Sequence, residues 1–257
     1  MRRLTASLAA VVLALTGGRL VAEPAVLSLA RAYLGPESTI DAIRNIHYVG
    51  TLERSDPAHP DGPPISESLD MILAKPMQQK LVEHGAKFTL TTVLDDMDGW
   101  ELAVDNANAK SRTLIWMKPA DILTLQANTL ENLYYYHMPR GRGTAVDKGP
   151  ATVDGVTCER IDIEHGDGIV FERYFDRDTG RLVLTKVGPE EIRESGEIMV
   201  EGLRFPSEIT TKAAAANGKV AVAKAKFTRI SINEALPRDT FAVPDMLPPS
   251  DLAAPAK

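Results

Sequence analysis

Cysteine is almost absent from this sequence: of 257 residues, Cys158 alone carries a thiol. No intramolecular disulfide can form, and that thiol lies far from the N-terminus, so no lipobox cysteine offers an N-terminal lipid anchor. Basic excess is absent too. Lys and Arg number 29 against 35 Asp and Glu, a formal charge of −6, which argues against nucleic acid or an anionic membrane surface as main partner. No hydrophobic run reaches the roughly 20 residues of a membrane-spanning helix, and no repeat of solenoid period is visible.

Catalytic motifs are equally scarce. His47, His59, His84, His137 and His165 are scattered without a pair at metal-ligand spacing, and solvated loops explain most of them. Asp95, Asp96 and Asp98 lack the longer ligand pattern of a calcium loop and read as solubilising residues at a strand end. Gly141-Arg142-Gly143 lacks the downstream Lys-Ser/Thr of a phosphate loop. Cys158 sits beside Val156 and Ile161 with no local base to activate it, so a buried small hydrophobe is the better reading. Glu190-Glu191 and Arg193-Glu194 read as an exposed hairpin edge. No nucleophile–base set, metal site or cofactor site emerges, so a non-enzymatic protein is expected.

The first residues have the layout of a secretory signal peptide: Arg2-Arg3, an apolar run from Leu4 to Leu15, and a small-residue region ending at Ala22. Cleavage after Ala22 removes three arginines and no acid, leaving 26 basic against 35 acidic residues and a formal charge of −9. The expected organisation is a signal peptide at 1–22, one domain at 23–244 and a Pro/Ala-rich flexible tail at 245–257. A periplasmic location follows. Without disulfides, such a domain is held by its core alone.

What is there is strand pattern, concentrated between Leu69 and Val104. Ile65, Leu69, Met71 and Leu73 alternate, then Phe88, Leu90, Thr92 and Leu94, then Trp100, Leu102 and Val104 beyond the Asp98-Gly99 turn. Lys75-Pro76 interrupts them. Four antiparallel strands with one continuous, greasy face are expected. Ahead of them, Val26 to Leu34 has helical spacing ended by Gly35-Pro36, and Ser38 with Asp41 resembles a capping box opening a short helix from Thr39 to Asn45. A strand from Tyr48 to Arg54 and a proline-rich loop at 55–64 follow.

Further on, Arg112 to Met117 reads as a strand and Ala120 to His137 as a long helix after Pro119, apolar on more than one face and therefore covered on two sides. Residues 138–150 read as a glycine-rich loop. The second half reads as hairpins: Val153 to Glu164, Ile169 to Asp176, Arg181 to Val187, Ile192 to Val200, Leu203 to Lys212 and Lys219 to Asn233, with Asn217-Gly218 as one turn. The sum is roughly ten strands.

Several landmarks, taken in order, resemble the LolA/LolB-type periplasmic lipoprotein-carrier superfamily, whose members include outer-membrane lipoprotein-sorting proteins. They are Lys75-Pro76 at a strand end, the hairpin Asp98-Gly99-Trp100-Glu101-Leu102, and the C-terminal Phe241-Ala242-Val243-Pro244. Tyr174-Phe175-Asp176 through Thr179-Gly180-Arg181-Leu182, and Gly202 to Pro206 with Glu208-Ile209, add to the likeness. It covers most of the mature chain.

The resemblance implies a mainly β fold: one large curved antiparallel sheet forming an incomplete β-barrel, with the N-terminal and mid-chain helices as lid or plug. It implies that the concave face accepts acyl chains of a lipid or lipoprotein, with donor and acceptor proteins at the two membranes. The expected lining is Leu69, Met71, Leu73, Phe88, Leu90, Leu94, Trp100, Leu102, Trp116, Leu123, Leu130 and Tyr134. Lys75 stands where the lipoprotein chaperone has an arginine that tethers its lid, and lacks the planar fork of that residue. Beside the carrier stands a sensor or structural protein that contacts another envelope protein through the same fold; a hydrolase is disfavoured.

Overall fold

The computed structural model describes residues 23–56, 59, 62–214 and 220–245. The expected signal peptide, the Asn217-Gly218 turn and all of the expected tail beyond residue 245 lie outside them. The chain opens with α1 (Ala25–Leu34) and α2 (Glu37–Asp41). Gly35 ends α1 at φ 149°, and a Cβ there would meet the Gly202 carbonyl oxygen at 2.6 Å. The expected Ser38 cap is not made. Pro36 stands at the N-cap of α2, Ser38 lies inside the helix, and strand β1 (Asn45–Arg54) begins where the helix was expected to continue.

Four strands follow as the alternation predicts: β2 (Ile65–Ala74), β3 (Gln78–His84), β4 (Phe88–Asp95) and β5 (Asp98–Asp105). Each pairs with its predecessor antiparallel, and β6 (Asn108–Trp116) extends the series. The long helix is α3 (Pro119–Tyr134), with proline in its first turn, where a missing N–H costs nothing.

The second half is β7 (Thr144–Val153), β8 (Val156–Glu164), β9 (Val170–Asp176), β10 (Leu182–Val187), β11 (Glu190–Ser195), β12 (Ile198–Val200), β13 (Leu203–Phe205), β14 (Glu208–Ala214) and β15 (Val220–Ile232). Among the described residues, fifteen strands stand where roughly ten were expected. Asp154-Gly155 is a hairpin turn that splits the strand expected from Val153, with both residues at positive φ. The expected loop at 138–150 is half strand. Gly149 and Pro150 belong to β7, an edge strand with a bulge between Asp147 and Gly149; an edge is where a sheet tolerates proline.

Thirteen strands form one sheet in the order β6-β5-β4-β3-β2-β1-β15-β14-β11-β10-β9-β8-β7, and β12-β13 form a separate hairpin. The first and last strands pair at its centre, joining two wings. β6 and β7 remain edges, so the barrel is not closed. α3 carries the chain from one edge to the other and must cross the sheet. Leu133 packs with Leu69 and Leu73 of one wing, and Ala127 with Ile161 and Phe171 of the other. Both wings therefore curl around α3, which explains its apolar residues on several sides. This helix-filled face is the inner face.

β5 corrects the expectation of one continuous greasy face. The turn between β4 and β5 sets Leu94 opposite Gly99 and Val93 opposite Trp100. Side chains alternate along each strand, so Trp100 and Leu102 join Val93 on the outer face. There Trp100 and Phe241 form a small core with Ala74 and Val93. The C-terminal Phe-x-x-Pro segment thus caps the outside of the sheet. β11 lies between β10 and β14, so Glu190 to Glu194 is not a sheet edge either.

Candidate functional site

The inner face holds several unusual polar side chains that converge from distant parts of the chain. Arg31 sits one helical turn from Leu27 and Leu34, which places its stem on the apolar face of α1, and it is 4% exposed. Its NH1 donates to the carbonyls of Tyr134 and Tyr135 at 3.1 and 3.0 Å, its Nε to Glu37 at 2.8 Å and its NH2 to Asp41 at 2.7 Å. One guanidinium thus caps the C-terminus of α3 and joins it to α1 and α2. The chain then reverses through Tyr135 and Tyr136, both at positive φ, which turns their rings inward.

A second group lies across α3. The Glu131 carboxylate is fully buried, accepting from Nε and NH2 of Arg173 on β9, both at 2.8 Å, and facing Nε2 of His165 at 2.7 Å. Nδ1 of His165 donates to the Arg142 carbonyl at 2.9 Å, because a carbonyl can only accept. Arg173 lies over the Tyr136 ring at 5.1 Å. His165 is a buried strut between α3 and the β8–β9 connection, not the solvated loop residue expected.

Between these groups the inner face is incompletely filled. A small, partly open chamber of about 50 Å³ lies among Tyr48, Met71, Tyr135, Tyr136, Arg173 and Glu194. It meets an outer cavity of about 220 Å³ bounded by α1, the β9–β10 turn and the residues between β11 and β13. Leu34, Tyr136, Glu194, Arg204, Phe205 and Pro206 line both. Gly180 in the β9–β10 turn lets α1 approach: at φ 75°, a Cβ there would lie 2.5 Å from the Leu29 carbonyl carbon. Arg204 lies 4.8 Å above the Tyr33 ring and pairs with Glu197 at 2.8 Å.

Electrostatically the chamber is a hard place for charge. Burial pushes the Tyr48 and Tyr136 hydroxyls well above their usual range. The buried Tyr135 hydroxyl lacks a well-aligned partner, its neighbour being Tyr48. Glu194 lines both cavities, and its side chain is exposed to solvent although protein groups crowd around it. Lost hydration raises its pKa, and Arg173 only partly offsets this.

The residues expected to line a cavity divide into four groups. Leu69 and Leu73 are core residues of the inner face, and Met71 beside them reaches the chamber. Leu94 and Leu130 pack with Met77 under α3, while Leu123 and Leu130 border a shallow cavity of about 210 Å³ beside His165. Phe88 and Leu90 lie on the inner face, 50% and 38% exposed, and Ile115 is on the same face in the row of Glu101 and Thr92. Trp100 and Leu102 belong to the outer-face core, and Trp116, opposite Trp100, is 59% exposed. Lys75 does meet α3: Nζ lies 4.9 Å over the Tyr134 ring, whose hydroxyl donates to the Pro76 carbonyl at 3.1 Å.

Arg31, Glu131, Arg173 and Glu194 escaped the sequence reading. Two left a signal. Arg31 shares the spacing of Leu27 and Leu34, and Glu131 is the lone acid in the apolar run Leu130 to Tyr136. Glu194 left none, because a glutamate in a charged strand reads as solvent-facing.

No protein-family model matches this chain, and no curated protein matches it by sequence. Solved structures do. A DUF1329 family protein from Desulfovibrio piger superposes with a TM-score of 0.57 at 10% identity, covering 84% of this chain and 95% of that one. A domain named for outer-membrane lipoprotein sorting, from Vibrio parahaemolyticus, gives 0.54 at 6% identity over 84% and 95%. A LolA superfamily protein from Nitrosomonas europaea gives 0.53 at 11% identity over 83% and 97%. The chain has the LolA-like fold: an open antiparallel sheet wrapped around helices. Among the described residues, no helix is long and apolar enough to cross a membrane and no cluster of His, Cys, Asp or Glu could hold a metal.

Proposed function

We propose that this protein is an exported, non-enzymatic carrier or binder of an amphiphile with an acyl chain, a lipid or a lipidated protein. The observation that carries this is the unfilled space between the inner face and its helices. A chain entering there would lie against Leu34, Met71 and Phe205, each buried methylene contributing about 0.8 kcal/mol. Phe88, Leu90 and Ile115, exposed on the same inner face, offer apolar surface for a longer tail. Release needs helices that can shift. Arg31 and Lys75 hold the C-terminal end of α3 by a few contacts, which is where opening would begin. Lipoprotein sorting, named for the Vibrio domain of the same fold, is the role we favour, with a periplasmic location after removal of residues 1–22.

Exposed Phe88, Leu90 and Ile115 on the inner face also favour a second reading, in which another envelope protein docks there and the fold acts as a sensor. Native mass spectrometry of protein purified from the periplasm without detergent separates the two. Adducts of acyl-chain mass, lost on collisional activation, support the carrier. A bare protein that takes up no added lipid refutes it, and a stable lipid-free protein complex supports the sensor.

A further inference from the structure

An open cleft of about 280 Å³ lies at the C-terminal end of α3, among α1, α2, the turn from β2 to β3 and the chain leaving α3. It shares no lining residue with the cavities described above. Its charges are mostly of one sign: Arg31, Lys75 and Arg140 stand against one acid, Asp41. Arg31 is already occupied by Asp41, Glu37 and two carbonyls. Lys75 and Arg140 are not. Neither side chain makes a hydrogen bond or ion pair with any described residue, and Lys75 Nζ only lies over the Tyr134 ring. The His137 ring, in the same lining, is equally unengaged, and either neutral tautomer offers an N–H. Even with Glu37 counted from outside the lining, three cations face two acids. Burial lowers the pKa of Lys75 and Asp41 only partly opposes this, so an added anion beside it would be favourable.

Backbone contacts hold these groups in place. Lys75 N donates to the Arg44 carbonyl at 2.8 Å, and the Tyr134 hydroxyl to that of Pro76 at 3.1 Å, which sets the β2–β3 turn against α3. His137 N donates to the Tyr134 carbonyl at 3.0 Å. Arg142 N donates to that of Pro139 at 2.9 Å, in a turn that Gly141 enters at φ 77°. Donors arriving from separate segments suit a tetrahedral oxyanion with acceptors on every side, whereas a planar carboxylate is met best by one guanidinium fork. We propose that Lys75, His137 and Arg140 bind a phosphate group, free or carried on an organic molecule whose apolar part lies against Ile40, Leu133 and Met138. The cleft has room for roughly nine water molecules, more than a bare phosphate occupies. This site goes beyond the carrier reading and does not depend on it.

The test is calorimetric titration of the full mature chain, in phosphate-free buffer at neutral pH and low salt, with inorganic phosphate, butyl phosphate, butyrate and butylamine. Butyl phosphate is expected to bind at least about tenfold more tightly than butyrate, and butylamine not to bind. Butyl phosphate tighter than inorganic phosphate identifies an organic phosphate as the ligand; equal affinity identifies the free ion. Lys75→Met and Arg140→Gln should each weaken phosphate binding about tenfold. Asp41→Asn, which removes the acid of the lining, should tighten it. Circular dichroism checks folding, and Arg140, exposed on its turn, keeps the test open should Lys75→Met disturb α3. Binding that survives both cation substitutions, that is no tighter for butyl phosphate than for butyrate, or that weakens in Asp41→Asn overturns the proposal. So does the absence of binding at millimolar phosphate, and in every case the carrier reading stands.

Discussion

Replacing Arg31 by methionine keeps the apolar stem of the side chain and removes its planar fork. The carbonyls of Tyr134 and Tyr135 then lose their donor at the end of α3. A buried polar group left unsatisfied costs about 1–3 kcal/mol, so two give about 2–6 kcal/mol gross. Glu37 and Asp41 contribute little to the loss, because their side chains are 58% and 65% exposed and return to water. Relief of the guanidinium's own desolvation offsets part of the total, leaving about 2–4 kcal/mol. For a domain of this size each kcal/mol moves the melting temperature by about 2–4 °C, so a fall of about 5–15 °C is expected by thermal circular dichroism. Glu37→Gln is the control and should cost under about 0.5 kcal/mol. If Arg31→Met melts within 2 °C of the parent (about 1 kcal/mol or less), the guanidinium does not couple α1 to α3 and the reasoning is wrong.

Other outcomes follow from the same geometry. Trp100→Ala should cost about 3–5 kcal/mol in urea denaturation and leave ligand affinity untouched, since Trp100 packs against Phe241 on the outer face; Trp116→Ala should stay within about 0.5 kcal/mol. Gly180→Ala forces a side chain into positive φ against the α1 backbone, and a loss of about 1–2 kcal/mol or more is expected by the same assay. Glu194 gives a pH dependence of defined sign. Its folded pKa lies above the ordinary 4.5, so the folded state binds more protons, and stability should fall as pH rises from 4.5 through the raised value. Glu194→Gln should flatten that slope between acid and neutral melts; an unchanged slope would show that the carboxyl is well solvated.

Most strands could be found from the sequence because their signal is local. Alternation of Leu69, Met71 and Leu73, or of Phe88, Leu90 and Leu94, reports a half-buried strand wherever it ends up. Misses came where a short turn hid in an apolar run, as at Asp154-Gly155, or where Gly149 and Pro150 disguised an edge strand as a loop. The tryptophans were assigned to the wrong face for a different reason. β4 carries its large apolar side chains on the inner face and β5 carries Trp100, Leu102 and Val104 on the outer one, and alternation within each strand does not say which set the helix covers.

By itself the sequence determined the antiparallel strands, the two main helices, and a mainly β fold stabilised without disulfides. These depend on neighbours a few residues apart. Which face curls inward, and what stands in the chamber, only the tertiary structure decided. The β4–β5 turn sends Trp100 outward, and α3 must cross the inner face because it joins the two sheet edges. Glu131 meets Arg173 across 42 positions of sequence, and Glu194 meets Tyr48 only because β1 and β15 join the wings. Charged side chains read as solvent-facing in any local window; enclosure is a property of the whole sheet.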